Sequence, residues 1–334
     1  MATLLVIGGS GFFGKSILDM FQRGKLARWN IDKVIAMSRN AKQLKIETPE
    51  LVQGNVDLLE LDITSTNSLP EADYVIHAAA STDARNYVTA GEKERKSIQA
   101  GTLNYCRLAK KYKNTKTLYV SSGAVYGTQP PEIKYIEESY QFRDPNDIPE
   151  GKRDYAVAKR DAEELIKEMG DEGFSVSIAR CFAFVGPWLP LNQHFAIGNF
   201  IADGLAGRSI KVKANHLVYR SYMYADDLII WLMTILDSSS LDCPIYNVGS
   251  DEEISIFDLA EKIASYFNVC TVIGKIDKKR LDRYLPSVNK AKDILKLDRK
   301  FDITSSINET IISIYNIDKN ILKGSSHFEP KKDN

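Results

Sequence analysis

Two side chains one helical turn apart could move a proton. Tyr155 and Lys159 stand in Tyr155-Ala156-Val157-Ala158-Lys159, and an i, i+4 spacing puts both on one face of a helix. A tyrosine titrates near ~10 in water. The expectation is that a neighbouring ammonium, with the positive charge of an oxidised nicotinamide, lowers that value. A phenol so tuned can give or take the proton on a carbonyl or alcohol oxygen while hydride moves to or from a cofactor. Ser122, at the end of the strand-like segment 117–121, could hold the same oxygen through its hydroxyl. A Tyr-x-x-x-Lys pair alone says little, since both residues are common on helices.

The pair gains weight from a glycine loop near the start of the chain. Gly8-Gly9-Ser10-Gly11-Phe12-Phe13-Gly14 fits G-x-x-G-x-x-G between an apolar run, 3–7, and a helical pattern, 12–22, carrying Ile17, Leu18 and Phe21 on one side. One glycine allows a tight turn, another lets the backbone approach a pyrophosphate, and the third lets helix and strand pack closely. The helix N-terminus supplies amides and a positive dipole end to the phosphates. Gly8, Gly11, Phe12, Phe13 and Gly14 are therefore the expected pyrophosphate site.

Selectivity is expected at the end of the second strand, where Met37 is followed by Ser38 and Arg39. An NAD site commonly has a carboxylate near here for the ribose hydroxyls. Ser38 has none, and Arg39 can pair with a 2′-phosphate, with Lys42 as a possible second charge. The prediction is NADP(H) preferred, NAD possible. Asp62 either faces the adenine or caps the next helix, a role for which Thr64 and Ser65 compete.

These residues need a scaffold, and the hydrophobic pattern provides one. Strands are expected at 3–7, 34–37, 58–63, 74–80, 117–121 and 175–180, with helices at 12–22, 90–112 and 155–170. Alternation of this kind predicts an α/β doubly wound parallel sheet, the Rossmann arrangement. The pattern loosens after about residue 185, with helices at 195–205 and 256–267 and a strand leading into a helix within 221–236. The chain thus divides into 1–180, a dinucleotide-binding domain joined by strands from later in the chain, and 181–320, mainly a smaller C-terminal substrate-binding lobe. A polar tail occupies 323–334.

Composition removes several classes of function. Lys and Arg total 44 and Asp and Glu total 44, so no basic excess points to nucleic acid. The short basic runs Lys110-Lys111, Lys278-Lys279-Arg280 and Lys331-Lys332 read as solvated surface. Cys106, Cys181, Cys243 and Cys270 form no C-x-x-C pair and no ligand set with the four histidines, so neither a metal nor a disulfide framework is expected. No signal peptide precedes the first strand and no apolar run is long enough for a bilayer, which predicts a cytoplasmic protein without a membrane partner.

Taken together, these motifs resemble the extended short-chain dehydrogenase/reductases, the nucleotide-sugar epimerase/dehydratase group, over roughly residues 3–315. The markers are GGSGFFG, HAAAST at 77–82, SSGAVYG at 121–127, YAVAK at 155–159, RCFAFVGP at 180–187, YRSYMYADDL at 219–228 and YNVGS at 246–250. The resemblance implies Ser122 as the catalytic serine beside Tyr155 and Lys159. It implies Ile63, Ala78, Ala79 and Ala80 as further cofactor contacts. It implies a nucleoside-diphosphate sugar as substrate, Arg220 on its diphosphate, Arg283 as a second candidate, and Ser81, Gly123, Ala183 and Asn199 around the sugar. It also implies a homodimer through the helices 90–112 and 155–170, with Ala158, Ala162, Leu165 and Ile166 offering small and apolar surface.

Departures from the family pattern narrow the reaction. The 4,6-dehydratases have Asp-Glu where this chain has Gly123-Ala124, and nucleotide-sugar decarboxylases usually have an acid there too. A frequent asparagine is Ala183 here, and another is replaced around Ile98. The expected function is an NAD(P)H-dependent reductase of a nucleotide-linked 4-keto-6-deoxy sugar, with Tyr155 as proton donor or acceptor. The alternative is a 4-epimerase with retained NAD. A 4,6-dehydratase fits less well, as does a non-catalytic cofactor-binding member, against which Ser122, Tyr155 and Lys159 speak.

Overall fold

Strands that read as unbroken apolar runs are strands covered on both faces. The computed structural model describes residues 1–80, 84–191, 193 and 195–321, with only the backbone described for 84–89 and 318–321. Ser81 and the tail 323–334 lie outside the described residues. In chain order the first half forms β1 (Ala2–Ile7), α1 (Phe12–Gln22), β2 (Ile31–Ser38), α2 (Leu44–Glu47), β3 (Val56–Glu60), β4 (Tyr74–His77), α3 (Ala84–Ala109), β5 (Lys116–Ser122), α4 (Glu150–Asp171) and β6 (Val176–Cys181). Next come β7 (Phe184–Val185), α5 (Ala196–Leu205), β8 (Ile210–Val212), β9 (His216–Arg220), β10 (Met223–Tyr224), α6 (Ala225–Asp237) and β11 (Ile245–Val248). The chain ends with β12 (Ile254–Ser255), α7 (Ile256–Phe267), β13 (Thr271–Ile273), β14 (Asp277–Tyr284), α8 (Asn289–Leu295) and α9 (Ile303–Ile321).

Seven parallel strands run in the order β11-β6-β5-β4-β1-β2-β3. This is the doubly wound α/β sheet that the hydrophobic pattern predicts. The winding reverses between β1 and β4, which opens a crevice at the carboxyl ends of the strands. On one face, Ile17 and Leu18 of α1 share a core with Leu228, Trp231 and Leu232 of α6. On the other, Tyr105 and Leu108 of α3 pack with Ala158, Ala162 and Ile166 of α4. Burying one such leucine or isoleucine fully stabilises the fold by ~1.5–3 kcal/mol. A third core joins α5, α7 and α9 through Ile201, Leu259, Ile263 and Ile307.

Boundaries differ from expectation where polar contacts intervene. The third strand stops at Glu60, short of 63, because the Asp62 carboxylate accepts from the Thr64 amide at 2.9 Å and hydroxyl at 2.8 Å and turns the chain. α3 begins at Ala84, and its backbone leaves helical geometry at Ala90 (φ −149°, ψ 38°), where the apolar pattern begins. α4 starts at Glu150, because Pro149, with φ −51°, accepts from the Lys152 and Arg153 amides and opens the helix early. Among the described residues no helix is long and apolar enough to cross a membrane.

Candidate active site

The glycine loop has the geometry its spacing demands. Gly8 has φ +99°, and a Cβ there would fall 2.9 Å from the backbone of Ala78 and Ala79. The left-handed turn and that close approach both require glycine. The amides of Gly8 and Gly9 donate to the Met37 carbonyl at 2.8 and 2.9 Å, locking the loop onto β2. A Cβ on Gly14 would collide with the backbone of Gly9, so Gly14 is the close-packing glycine. Gly11 is the N-cap of α1 with no side chain capping the helix, and a Cβ there would meet only the Gly8 carbonyl oxygen at 3.4 Å. Phe12 and Phe13 form the first turn and stack toward Phe184. An uncapped helix start beneath an uncluttered glycine suits a pyrophosphate. Ala78, Ala79 and Ala80 form the opposite wall, all partly exposed.

At the adenosine end, Ser38 pairs in register with Glu60, and its hydroxyl oxygen is buried with no protein partner. An orphaned buried hydroxyl at the end of β2 is what a ribose would satisfy, so the residues present fit a dinucleotide. Arg39 is exposed. Lys42 does not stand ready as a second phosphate ligand, because its ammonium lies 3.6 Å from Glu60. Asp62 is engaged in its own turn with Thr64. Ile63 is buried, and its carbonyl accepts from Asn104 at 2.8 Å. Sequence reasoning missed Asn104, which braces the whole 63–66 turn through a second bond to Thr66.

Ser122, Tyr155 and Lys159 come together where β5 and α4 meet. Ser122 is the N-cap of a short turn over Gly123–Tyr126 and accepts from the Ala124 amide at 3.2 Å. The Tyr155 phenol feels the Ser122 hydroxyl, which draws its pKa down against burial. Lys159 is 2 % exposed and donates to the Val120 carbonyl at 2.8 Å and the Tyr119 hydroxyl at 3.2 Å. Its ammonium lies 4.7 Å from the centroid of the Tyr119 ring and 5.9 Å from that of Tyr155. Burial lowers the Lys159 pKa to about 8. Buried behind the site, His77 is held at about 4 by burial and by the Lys159 charge, so it is neutral. The expected lowering of the Tyr155 pKa is not what the protein alone produces: burial pushes it up to about 12, against the downward pull of the Ser122 hydrogen bond. Lys159 spends two donors on Val120 and Tyr119, leaving burial as the larger influence on the phenol.

The substrate side contains residues that sequence reasoning missed. Phe182 covers Gly123 so closely that a Cβ there would lie 2.7–2.8 Å from its ring carbons. An acid at that position has no room unless Phe182 moves. Tyr284, at the end of β14, stacks on Phe182 at 4.6 Å between centroids and brings its hydroxyl 3.5 Å from Ser122 Oγ. Its register partner on β9 is Arg220. Arg220 is paired with Asp282 at 3.0 Å and donates to the Tyr219 carbonyl. Arg283, adjacent to Tyr284, is turned away by strand alternation and bonds Glu253 and the Pro131 carbonyl, so the structure does not bring it to Ser122. Asn199 donates to the Gln193 carbonyl at 2.7 Å, and Ala183 packs on the C-terminal core. A signal for Tyr284 existed in the alternation of β14, which sets residues 282 and 284 on one face.

A buried polar frame supports this corner. Arg180 pairs with Glu163 at 2.7 Å and bonds Tyr126, while Glu163 accepts from Ser121 at 2.5 Å. Tyr126 donates in turn to Asn247 of β11 at 2.8 Å. With each member partnered, the frame fixes the end of β5, and so Ser122, relative to α4. Cys106, Cys181 and Cys243 are buried and Cys270 is exposed. Among the described residues no cluster of His, Cys, Asp and Glu could hold a metal.

Comparison with known proteins gives relatives along nearly the whole chain, and the curated ones are decarboxylases, not reductases. UDP-glucuronic acid decarboxylase 1 of Danio rerio is 28% identical over 313 residues, covering 92% of this chain and 71% of the relative. UDP-glucuronic acid decarboxylase 5 of Arabidopsis thaliana is 28% identical over 309 residues, covering 91% and 86%. In fold, the chain is similar to a UDP-N-acetylglucosamine 4-epimerase from Methanobrevibacter ruminantium, with TM-score 0.79, 20% identity, and 94% and 98% of the two chains covered. It is also similar to a dTDP-glucose 4,6-dehydratase from Streptomyces venezuelae solved with NAD bound, with TM-score 0.77, 19% identity, and 96% and 98% covered. The model of the NAD dependent epimerase/dehydratase family matches residues 4–249, and the chain belongs to that family.

Proposed function

We propose that this protein is an enzyme that reduces the keto group of a nucleoside-diphosphate-linked 4-keto-6-deoxy sugar, with NADPH as the preferred reductant. The observation that carries the reading is the hydroxyl pair of Ser122 and Tyr155 at the carboxyl end of β5, beside the buried ammonium of Lys159. The glycine loop would hold the pyrophosphate of a nicotinamide dinucleotide, which would supply the hydride to the sugar carbon. The protein's part is the proton: Tyr155 donates to the carbonyl oxygen while Ser122 holds that oxygen. Lys159 then stabilises the charge left on the phenol. Burial pushes the Tyr155 pKa up to about 12, so the phenol carries its proton at neutral pH, and the Lys159 charge favours releasing it. Phe182 packed over Gly123 supports a site without the acids that dehydration or decarboxylation would use. Arg220, exchanging Asp282 for a diphosphate, would hold the nucleotide, and Asn199 and Ala183 would lie toward the sugar.

The NADPH preference rests on Ser38 and the exposed Arg39. One observation favours a second reading, a 4-epimerase with retained NAD: Lys42 is engaged by Glu60, whose carboxylate neighbours the end of β2. Titration of NADPH and NADH into wild type and Arg39→Ala separates the two. One lost charge-assisted contact costs ~1.5–3 kcal/mol, so Arg39→Ala should weaken NADPH by about one to two decades and leave NADH nearly unchanged. Equal wild-type affinities would favour the epimerase. On either reading Tyr155→Phe should bind cofactor normally and retain less than about a tenth of wild-type kcat, because the proton donor is gone. A more active variant would remove Tyr155 from that role.

A further inference from the structure

Hydrogen-bond counting at Ser122 gives Tyr284 a role. A serine hydroxyl has one hydrogen and two lone pairs. The Ala124 amide occupies one lone pair at 3.2 Å. Tyr284 lies 3.5 Å from the same oxygen, and Tyr155 is the second phenol on which the Ser122 hydroxyl acts. One lone pair and one hydrogen remain, so only one of the two phenols can donate to Ser122.

We infer that Tyr284 is the donor, a positioning residue that fills the last lone pair of Ser122 and so leaves its single hydrogen for the substrate oxygen before proton transfer and for the Tyr155 phenolate after it. The inference rests on Tyr155 being the proton donor proposed above. Once Tyr155 has given up its proton it can only accept, and the one arrangement that serves the phenolate has Tyr284 donating into Ser122. Tyr284 is built for a fixed role. Its ring is stacked on Phe182, its strand is in register with β9, and burial holds its own proton well above the ordinary tyrosine range. A chain of hydroxyls polarised in one direction strengthens each bond in it. The 3.5 Å separation is long for such a bond, as catalytic hydrogen bonds often are before substrate binds. Because Arg220 ends β9 and its register partner Tyr284 ends β14, the same strand pair that would seat the diphosphate also sets the hydrogen of Ser122.

The test uses full-length protein saturated with NAD+ and labelled with carbon-13 at tyrosine Cζ, titrated with base by NMR. Tyr155→Phe and Tyr284→Phe assign the two resonances. Tyr284→Phe should raise the Tyr155 ionisation by about one pH unit, a tenfold weaker acid, with NAD+ affinity within about twofold of wild type. In a Ser122→Ala background the same substitution should have no further effect on Tyr155. Ser122→Ala alone should shift the Tyr284 resonance, a readout that holds even if Tyr284→Phe folds poorly. An unshifted Tyr155 titration in Tyr284→Phe, or an unmoved Tyr284 resonance in Ser122→Ala, overturns the inference. Turnover of a dTDP-linked 4-keto-6-deoxyhexose with NADPH is measured alongside. If Tyr155→Phe stays active while the resonances respond as expected, the proton-donor assignment fails and the hydroxyl coupling stands.

Discussion

Lys159 should be a residue that the protein keeps at the expense of its own stability, and Lys159→Met measures by how much. Its ammonium is fully enclosed, and burial lowers its pKa from an ordinary 10.5 to about 8. At ~1.4 kcal/mol per pH unit, that displacement is ~3 kcal/mol of folding stability forgone. Proton counting gives the sign. Between pH 8 and 10.5 the unfolded chain holds the proton and the folded one has released it, so stability rises with pH across that window. Below about pH 8 both states are protonated and the cost is complete. Methionine keeps most of the length and removes the charge, but gives up the bonds to Val120 and Tyr119. Those two bonds return about 1–3 kcal/mol of the gain. Lys159→Met should therefore unfold in urea with up to ~2 kcal/mol more stability than wild type at pH 7, and with no advantage near pH 10.5. The same variant should lose turnover. A variant less stable than wild type at pH 7, or an advantage independent of pH, would refute the account of an ammonium that burial makes destabilising.

Arg220→Ala should raise KM for the nucleotide sugar by about ten- to a hundredfold with little change in cofactor affinity, since the fork makes charge-assisted bonds worth ~1.5–3 kcal/mol. Equal losses for both ligands would point to the Asp282 pairing as structural. A homodimer should form through the outer face of α3 and α4, where Leu103 is 58 % exposed beside Ala100 and Leu165. Leu103→Glu should then give a monomeric mass by light scattering at micromolar concentration, and a wild type that is already monomeric would dismiss this face. The face is narrower than the sequence suggests: Ala158, Ala162 and Ile166 are fully buried within the protomer, leaving Leu165 as the one outward residue of the four expected.

What the amino-acid sequence determined by itself was whatever depends on local spacing. The run at 3–7 and the glycines after it dictate a buried strand, a left-handed turn at Gly8 and a tightly packed Gly14, because no other residue tolerates those backbone approaches. The interval from Tyr155 to Lys159 dictates a shared helix face. Helix 256–267 was legible to the residue, since Ser255 caps it and Asn268 closes it in the left-handed region. Tertiary structure decided what depends on distant partners. Tyr284 reaches Ser122 across 162 positions of sequence, and only the pairing of β14 with β9 brings it there. Phe182 meets Gly123 across two neighbouring strand ends, so the glycine's reason is invisible in its own segment. Arg283 is the residue the chain offers, for the diphosphate, yet adjacent residues of a strand face opposite ways, and the fold sets Tyr284 beside Ser122 while Arg283 bonds Glu253. Likewise the direction of the Tyr155 pKa could not be read from the neighbouring lysine, because it depends on how deeply the fold buries the phenol and on which acceptors the ammonium finds first.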